Sequence, residues 1–138
     1  MSTSEQDSKI DAIRAIVAAM DANQDDADGF TRLLTEDVAL VNLAGRRVFG
    51  REALRRAMSD ALQTPMANVR TRNELVDVRF PRPGIAVASC IKHVSDERDP
   101  SAKDPDASWS GRGSLTLMLV EEQDGWRIAL AQTTPITA

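Results

Sequence analysis

The chain has no tyrosine, one histidine and one cysteine, so most familiar catalytic groupings are missing at the outset. The lone cysteine, Cys90, cannot form an internal disulfide, and a reducing compartment is expected. Excess positive charge is missing too: the 138 residues carry a net charge of −4 at pH 7. That disfavours nucleic acid or an anionic membrane as partner, because both require a basic surface. No apolar run approaches the roughly 20 residues that span a bilayer. Residues 1–8 are polar and acidic, unlike a secretion signal. These absences predict a soluble cytoplasmic protein. What is present is ordinary globular usage, 42% hydrophobic and 28% charged. That suffices for one domain with its own core, residues 9–138, behind a flexible stretch 1–8.

The hydrophobic period changes along the chain. Ile10, Ile13, Val17 and Met20 recur at helical spacing, and Ser8 with Asp11 resembles a capping box, so a first helix is expected to run from Ser8 to near Asn23. Asp28 is expected to cap a short second helix carrying Phe30, Leu33 and Leu34. A short strand is read over 38–43 and another over 46–49. Gly50 precedes a third helix with Leu54, Ala57, Met58, Ala61 and Leu62 on its buried face. From Val69 onward the period is two. Strands over 69–80 and 85–94 flank a Pro81-Arg82-Pro83-Gly84 turn, and a last hairpin spans 113–135. Helices followed by antiparallel strands predict an α+β fold with helices packed on one sheet face.

Candidate sites are few. The run from Asp21 to Asp25 resembles the start of a calcium loop but has Asp26 and Arg32 where glycine and glutamate are needed, so it reads as a helix end. No metal site is expected. Cys90 and His93 lie three apart on one strand, hence on opposite faces; His93 reads either as a pocket base or as a rim residue. Asp77 and Arg79 share a face directed away from the helices. The arginines around the start of the third helix read as a solvated face. The acidic segment 96–108, leading to Trp109, reads either as a lid or as a segment without a role. On the last strand Trp126, Ile128, Leu130 and Gln132 share one face in an unbroken pleat, apolar first and polar last. With Asn42, and with His93 or Trp109 as additions, Trp126 and Gln132 form the ligand-binding set the sequence favours, an apolar pocket with a few fixed polar groups.

Particular strings carry a resemblance. They are Thr35-Glu36-Asp37-Val38-Ala39-Leu40-Val41-Asn42, Gly45, Phe49-Gly50-Arg51-Glu52-Ala53-Leu54, Val76-Asp77-Val78-Arg79, Gly84-Ile85-Ala86-Val87, Leu115-Thr116-Leu117, and Trp126-Arg127-Ile128-Ala129 through Gln132, Thr134 and Pro135. Together they resemble the SnoaL-like branch of the nuclear-transport-factor-2-like superfamily, which includes ketosteroid isomerase, and especially small proteins of enediyne and polyketide gene clusters. The resemblance implies a cone-shaped, curved antiparallel sheet with three helices of the N-terminal half on its concave face, a pocket between them, and a homodimer through the outer sheet face. It also implies a small apolar ligand and no cofactor, with either proton transfer on a hydrophobic polyketide- or steroid-like molecule or binding without turnover. The missing tyrosine removes the phenolic donor of ketosteroid isomerases. Asp37 or His93 would then move the proton, while Trp109, Trp126 or Gln132 served the oxyanion.

Overall fold

Apolar side chains at helical spacing (Ile13, Val17 and Met20) give helix α1 its buried stripe, and α1 spans Thr3–Ala22. In this computed structural model, which describes residues 3–99, 101 and 111–137, the helix thus begins before Ser8. Ser8 lies inside it rather than at its cap. Helix α2 is a single turn and a half, Ala27–Thr31, and its cap is Asp26, not Asp28: the Asp26 side chain accepts from the Gly29 backbone N–H at 3.0 Å. Strand β1 (Leu34–Val41) begins at Leu34, which the sequence pattern had placed with the second helix. It hairpins into β2 (Arg47–Phe49), after which α3 covers Arg51–Ala61. A 3₁₀ turn, Pro65–Asn68, leads into β3 (Val69–Arg82), β4 (Ile85–Asp96), β5 (Gly111–Glu122) and β6 (Gly125–Pro135). Gly84 closes the β3–β4 hairpin with φ +80°, a conformation open to glycine and costly for other residues.

The six strands form one sheet in the order β2-β1-β6-β5-β4-β3. Neighbours are antiparallel except β1 and β6, which run parallel. One face carries the core: Ala86, Ala88 and Cys90 on β4, Leu115, Leu117 and Leu119 on β5, and Trp126, Ile128 and Ala131 on β6. The helical stripe of α1, with Leu54 of α3, closes over it. The fold is therefore the expected α+β arrangement, three helices on one face of a mostly antiparallel sheet. No helix among the described residues is long and apolar enough to cross a membrane.

Bulges decide which side chains look inward. In β6, Ile128 pairs with Leu119 and Leu130 with Met118, leaving Ala129 as an extra residue. In β3, Leu75 pairs with Cys90 and Asp77 with Ser89, leaving Val76 extra and 58% exposed. The free edge of β3 is covered by α1 and the turn after it. Gln24 accepts from the Thr71 N–H (3.0 Å) and donates to its carbonyl (3.1 Å), and Asp21 accepts from the Asn73 N–H at 3.1 Å. Asp25 pairs with Arg70. The acidic run thus does an edge strand's work, satisfying backbone groups that would otherwise invite another chain.

Candidate functional site

The sheet's concave face does not fill completely. Near the ends of β3 and β4 remote from their hairpin, a cavity of about 250 Å³ is lined by Met58, Ala61 and Leu62 of α3, Met66 of the 3₁₀ turn, and Leu43 just after β1. Val69 and Thr71 of β3, Lys92 and Val94 of β4, Gln24 and Asn42 complete it. Most of this wall is hydrocarbon. Lys92 is the one charged side chain in it.

Lys92 faces the cavity for a simple reason. Alternation from Ala86 through Ala88 and Cys90 to Val94, all buried, puts position 92 on the concave face. Its cross-strand neighbours are Asn73 on β3 and Gly113 on β5. Gly113 matters here: a Cβ at that position would lie 2.6 Å from the Thr133 methyl and 3.1 Å from a Leu43 methyl, so only glycine lets those groups close the floor beside Lys92. Among the described residues the Lys92 ammonium has no hydrogen-bond or ion-pair partner. Burial pushes its pKa below the usual lysine value, while the Asp21 carboxylate pulls the other way. Asp21 is itself engaged by Asn73, whose Nδ2 donates to it at 2.9 Å, and the Asn73 Oδ1 is buried without a partner among the described residues. Burial also raises the Cys90 thiol to about 11, so it remains a protonated core group.

The residues singled out from the sequence are not brought together. Asn42 lines the cavity, but its Oδ1 accepts from the Ala44 N–H (3.0 Å) and the Arg46 N–H (2.9 Å), closing the β1–β2 turn. His93 lies on the opposite, convex face, with Nε2 2.9 Å from Glu74 Oε1 and between Arg72 and Arg112 across the strands. That hydrogen bond holds the Glu74 carboxyl below its usual range. Asp37 is exposed on β1, within the irregular stretch between Leu34 and Ala39, and does not line the cavity. Trp126 is buried at another part of the core, its ring 6.0 Å from Phe80 and beneath the Lys9 ammonium. Gln132 is exposed. The β6 bulge at Ala129 shifts the inward set from Trp126 and Ile128 to Ala131 and Thr133, so Gln132 joins the convex face instead of sharing a face with Trp126. Trp109 lies outside the described residues, as does most of the 96–108 segment.

Two other sequence features resolve into structural roles. Arg55 and Arg56 both pair with Glu52, and Arg51 donates to the Leu34 carbonyl at 3.3 Å, so the arginines of α3 are occupied among themselves and their neighbours. Arg55 holds the Glu52 carboxyl at a pKa of about 2. Asp77 and Arg79 lie 3.9 Å apart on the exposed side of β3. Lys92, in contrast, was not anticipated. The available signal was a lysine at an inward position of a strand whose other inward residues are Ala, Ala, Cys, Val and, at its end, Asp96.

Comparison with known proteins agrees with this fold. The SnoaL-like domain model matches residues 10–134. No match is found among the curated proteins. Among solved structures, a domain of unknown function with a cystatin-like fold from Nostoc punctiforme superposes with a TM-score of 0.79 at 20% identity, covering 100% of this chain and 81% of that one. An uncharacterised cystatin-like protein from Caulobacter vibrioides gives 0.76 at 24% identity, over 94% of this chain and 91% of that one. A candidate dehydratase of the NTF2-like family from Streptomyces avermitilis gives 0.72 at 17% identity, over 96% and 99%. At these identities the likeness concerns the fold.

Proposed function

Because the chain belongs to the SnoaL-like domain family, we propose that it is a small-molecule pocket protein whose concave cavity takes a compact, mostly apolar molecule bearing one carbonyl or carboxylate oxygen. The observation that carries this reading is Lys92, an ammonium without a hydrogen-bond or ion-pair partner among the described residues, in a wall of methionine, leucine, valine and alanine. An unpaired buried cation is costly, and a ligand oxygen would relieve that cost. The cavity, about 250 Å³, lies just below the usual range for ligand sites, which favours a one-ring or short-chain molecule over a large polycycle.

A second reading is cofactor-free proton transfer. It draws support from the NTF2-like relative described as a candidate dehydratase. A cation held at a carbonyl oxygen stabilises the enolate left when the neighbouring carbon loses a proton. Neither Asp37 nor His93 lines the cavity, so binding without turnover is the better-supported of the two.

The cavity reading is tested with benzoate and cyclohexanone as probes, followed by heteronuclear NMR of the labelled protein. Saturable shifts are expected at Leu43, Val69, Thr71 and Val94, and an Ala61→Trp variant, which fills the space, should lose them. Shifts that survive in that variant, or that fall at Trp126 instead, would sink the proposal.

The proposal includes a homodimer through the convex face. Phe49, Ala39, Leu130, Met118 and Val87 follow one another across neighbouring strands and form an apolar row on that side, with Phe49 64% exposed. Sedimentation at micromolar concentration is expected to give twice the chain mass, and Met118→Glu to give a monomer. A wild-type monomer under those conditions would overturn this part.

A further inference from the structure

The cavity's one ionisable wall group is also its one nucleophile exposed to a ligand. Resting on the cavity reading above, we infer that Lys92 captures aldehydes or ketones covalently, as an imine between its ε-nitrogen and the ligand's carbonyl carbon.

Three features of the site support this chemistry. First, the lysine shares its cavity wall with Met58, Leu62, Met66 and Val94, hydrocarbon that makes loss of the ammonium proton easier than in water. Second, no partner among the described residues occupies its nitrogen, so the lone pair of the neutral form is available. Third, the cross-strand glycine, Gly113, sets no β5 side chain beside it, and the Thr133 and Leu43 methyl groups that close in there are hydrocarbon. The charged and titratable groups that bear on it are Asp21 from α1 and Cys90 from its own strand. Asp96, further along β4, is taken up by Arg98. The lining residues of α3, the 3₁₀ turn and the segment just after β1 are uncharged. Burial outweighs Asp21, and the pKa lies below the ordinary lysine value of 10.5.

The step balances without any further reagent. The neutral amine adds to the carbonyl carbon, forming a C–N bond and moving the carbonyl π pair to oxygen. A proton passes from nitrogen to that oxygen through water at the cavity mouth, giving a carbinolamine. The nitrogen lone pair then expels the hydroxyl group, which leaves as water after taking up a proton. The protonated imine withdraws electrons from the adjacent carbon and promotes loss of its proton. Lys92 would thereby supply the activation that the absent tyrosine and the distant His93 do not.

The test uses hexanal with sodium cyanoborohydride on the intact protein, with 1-hexanol as a probe that binds but cannot form an imine. The chain has three lysines, Lys9, Lys92 and Lys103, so peptide mapping reads each separately. At neutral pH, hexyl addition to Lys92 is expected to be faster than to Lys9, because burial lowers the Lys92 pKa and leaves more of it as free amine. That advantage should shrink as the pH nears 10.5, the ordinary lysine value. 1-Hexanol should slow the Lys92 reaction and leave Lys9 unaffected. Lys92→Arg, which keeps the charge, should still bind 1-hexanol while losing the fast reaction. Saturable binding of 1-hexanol with no preference for Lys92 would overturn the imine alone. Failure of 1-hexanol to bind would overturn the cavity reading with it.

Discussion

Replacing Asp96 with alanine is expected to lower the unfolding free energy by about 3–5 kcal/mol, the usual cost of breaking one side of a buried ion pair. Asp96 sits at the inward end of β4 with its side chain only 1% exposed, and Arg98 is 9% exposed. The carboxylate accepts from Arg98 Nε at 2.9 Å, from Nη2 at 2.7 Å and from the Arg98 backbone N–H at 3.2 Å. Arg98 Nη1 also lies 3.7 Å from the Met66 sulfur, so the pair ties β4 to the 3₁₀ turn that walls the cavity. Alanine would take from the buried guanidinium a two-pronged carboxylate held at 2.7–2.9 Å. Urea denaturation reads the loss. Asp96→Met combined with Arg98→Leu, which removes both members of the pair together, should lose less than Asp96→Ala alone. Asp77→Ala is the control: it breaks an ion pair between two exposed groups 3.9 Å apart, and about 0–1 kcal/mol is expected. A loss in Asp96→Ala no larger than in that control would show that the buried pair does not hold this end of the sheet.

Lys92→Met is expected to act in the opposite direction, stabilising the fold by about 1–2 kcal/mol at neutral pH, as removal of a group kept for function commonly does. Methionine keeps the length of the lysine stem and drops the charge. The pH dependence provides the decisive check. Because burial holds the folded-state pKa below the unfolded value of 10.5, the unfolded chain binds more protons at position 92 than the folded one between those two values. Wild-type stability therefore gains from this group as pH rises through that window, and the advantage of Lys92→Met should shrink as the pH approaches 10.5. Unfolding curves of both proteins at neutral and alkaline pH measure it. A difference between them that does not change with pH would mean that Lys92 is not held against its charge. The same variant should lose imine trapping, so stability and chemistry would move oppositely at one residue.

How much of this was legible in the sequence differs between the fold and the site. The stripe of Ile13, Val17 and Met20, the change of period at Val69, and the Pro81-Arg82-Pro83-Gly84 turn are local signals, each contained within a few neighbouring residues. They led to the correct class and to the order of helices and strands. Element ends fared less well, because caps depend on side-chain geometry: Asp26 and Asp28 are equally good cap residues by type, and the hydrogen bond to Gly29 selects Asp26. The site was read less well still. Gln132 was expected beside Trp126 because an unbroken pleat puts residues of equal parity together. The extra residue at Ala129 reverses parity halfway along β6. Cys90 and His93 were rightly assigned to opposite faces, yet which face held the cavity depended on where α1 and α3 packed.

What the sequence by itself determined, then, was the set of elements and the α+β class, because hydrophobic period and turn chemistry are fixed by neighbours along the chain; the family came from the resemblance of particular strings. Only the tertiary structure decided that Asp21, Gln24 and Asp25 guard the edge of β3, that His93 faces outward to Glu74, and that Lys92 is the charge inside the cavity. Each of those assignments depends on a partner supplied by another element or on a single bulge, and a one-residue shift is enough to exchange the two faces of a strand.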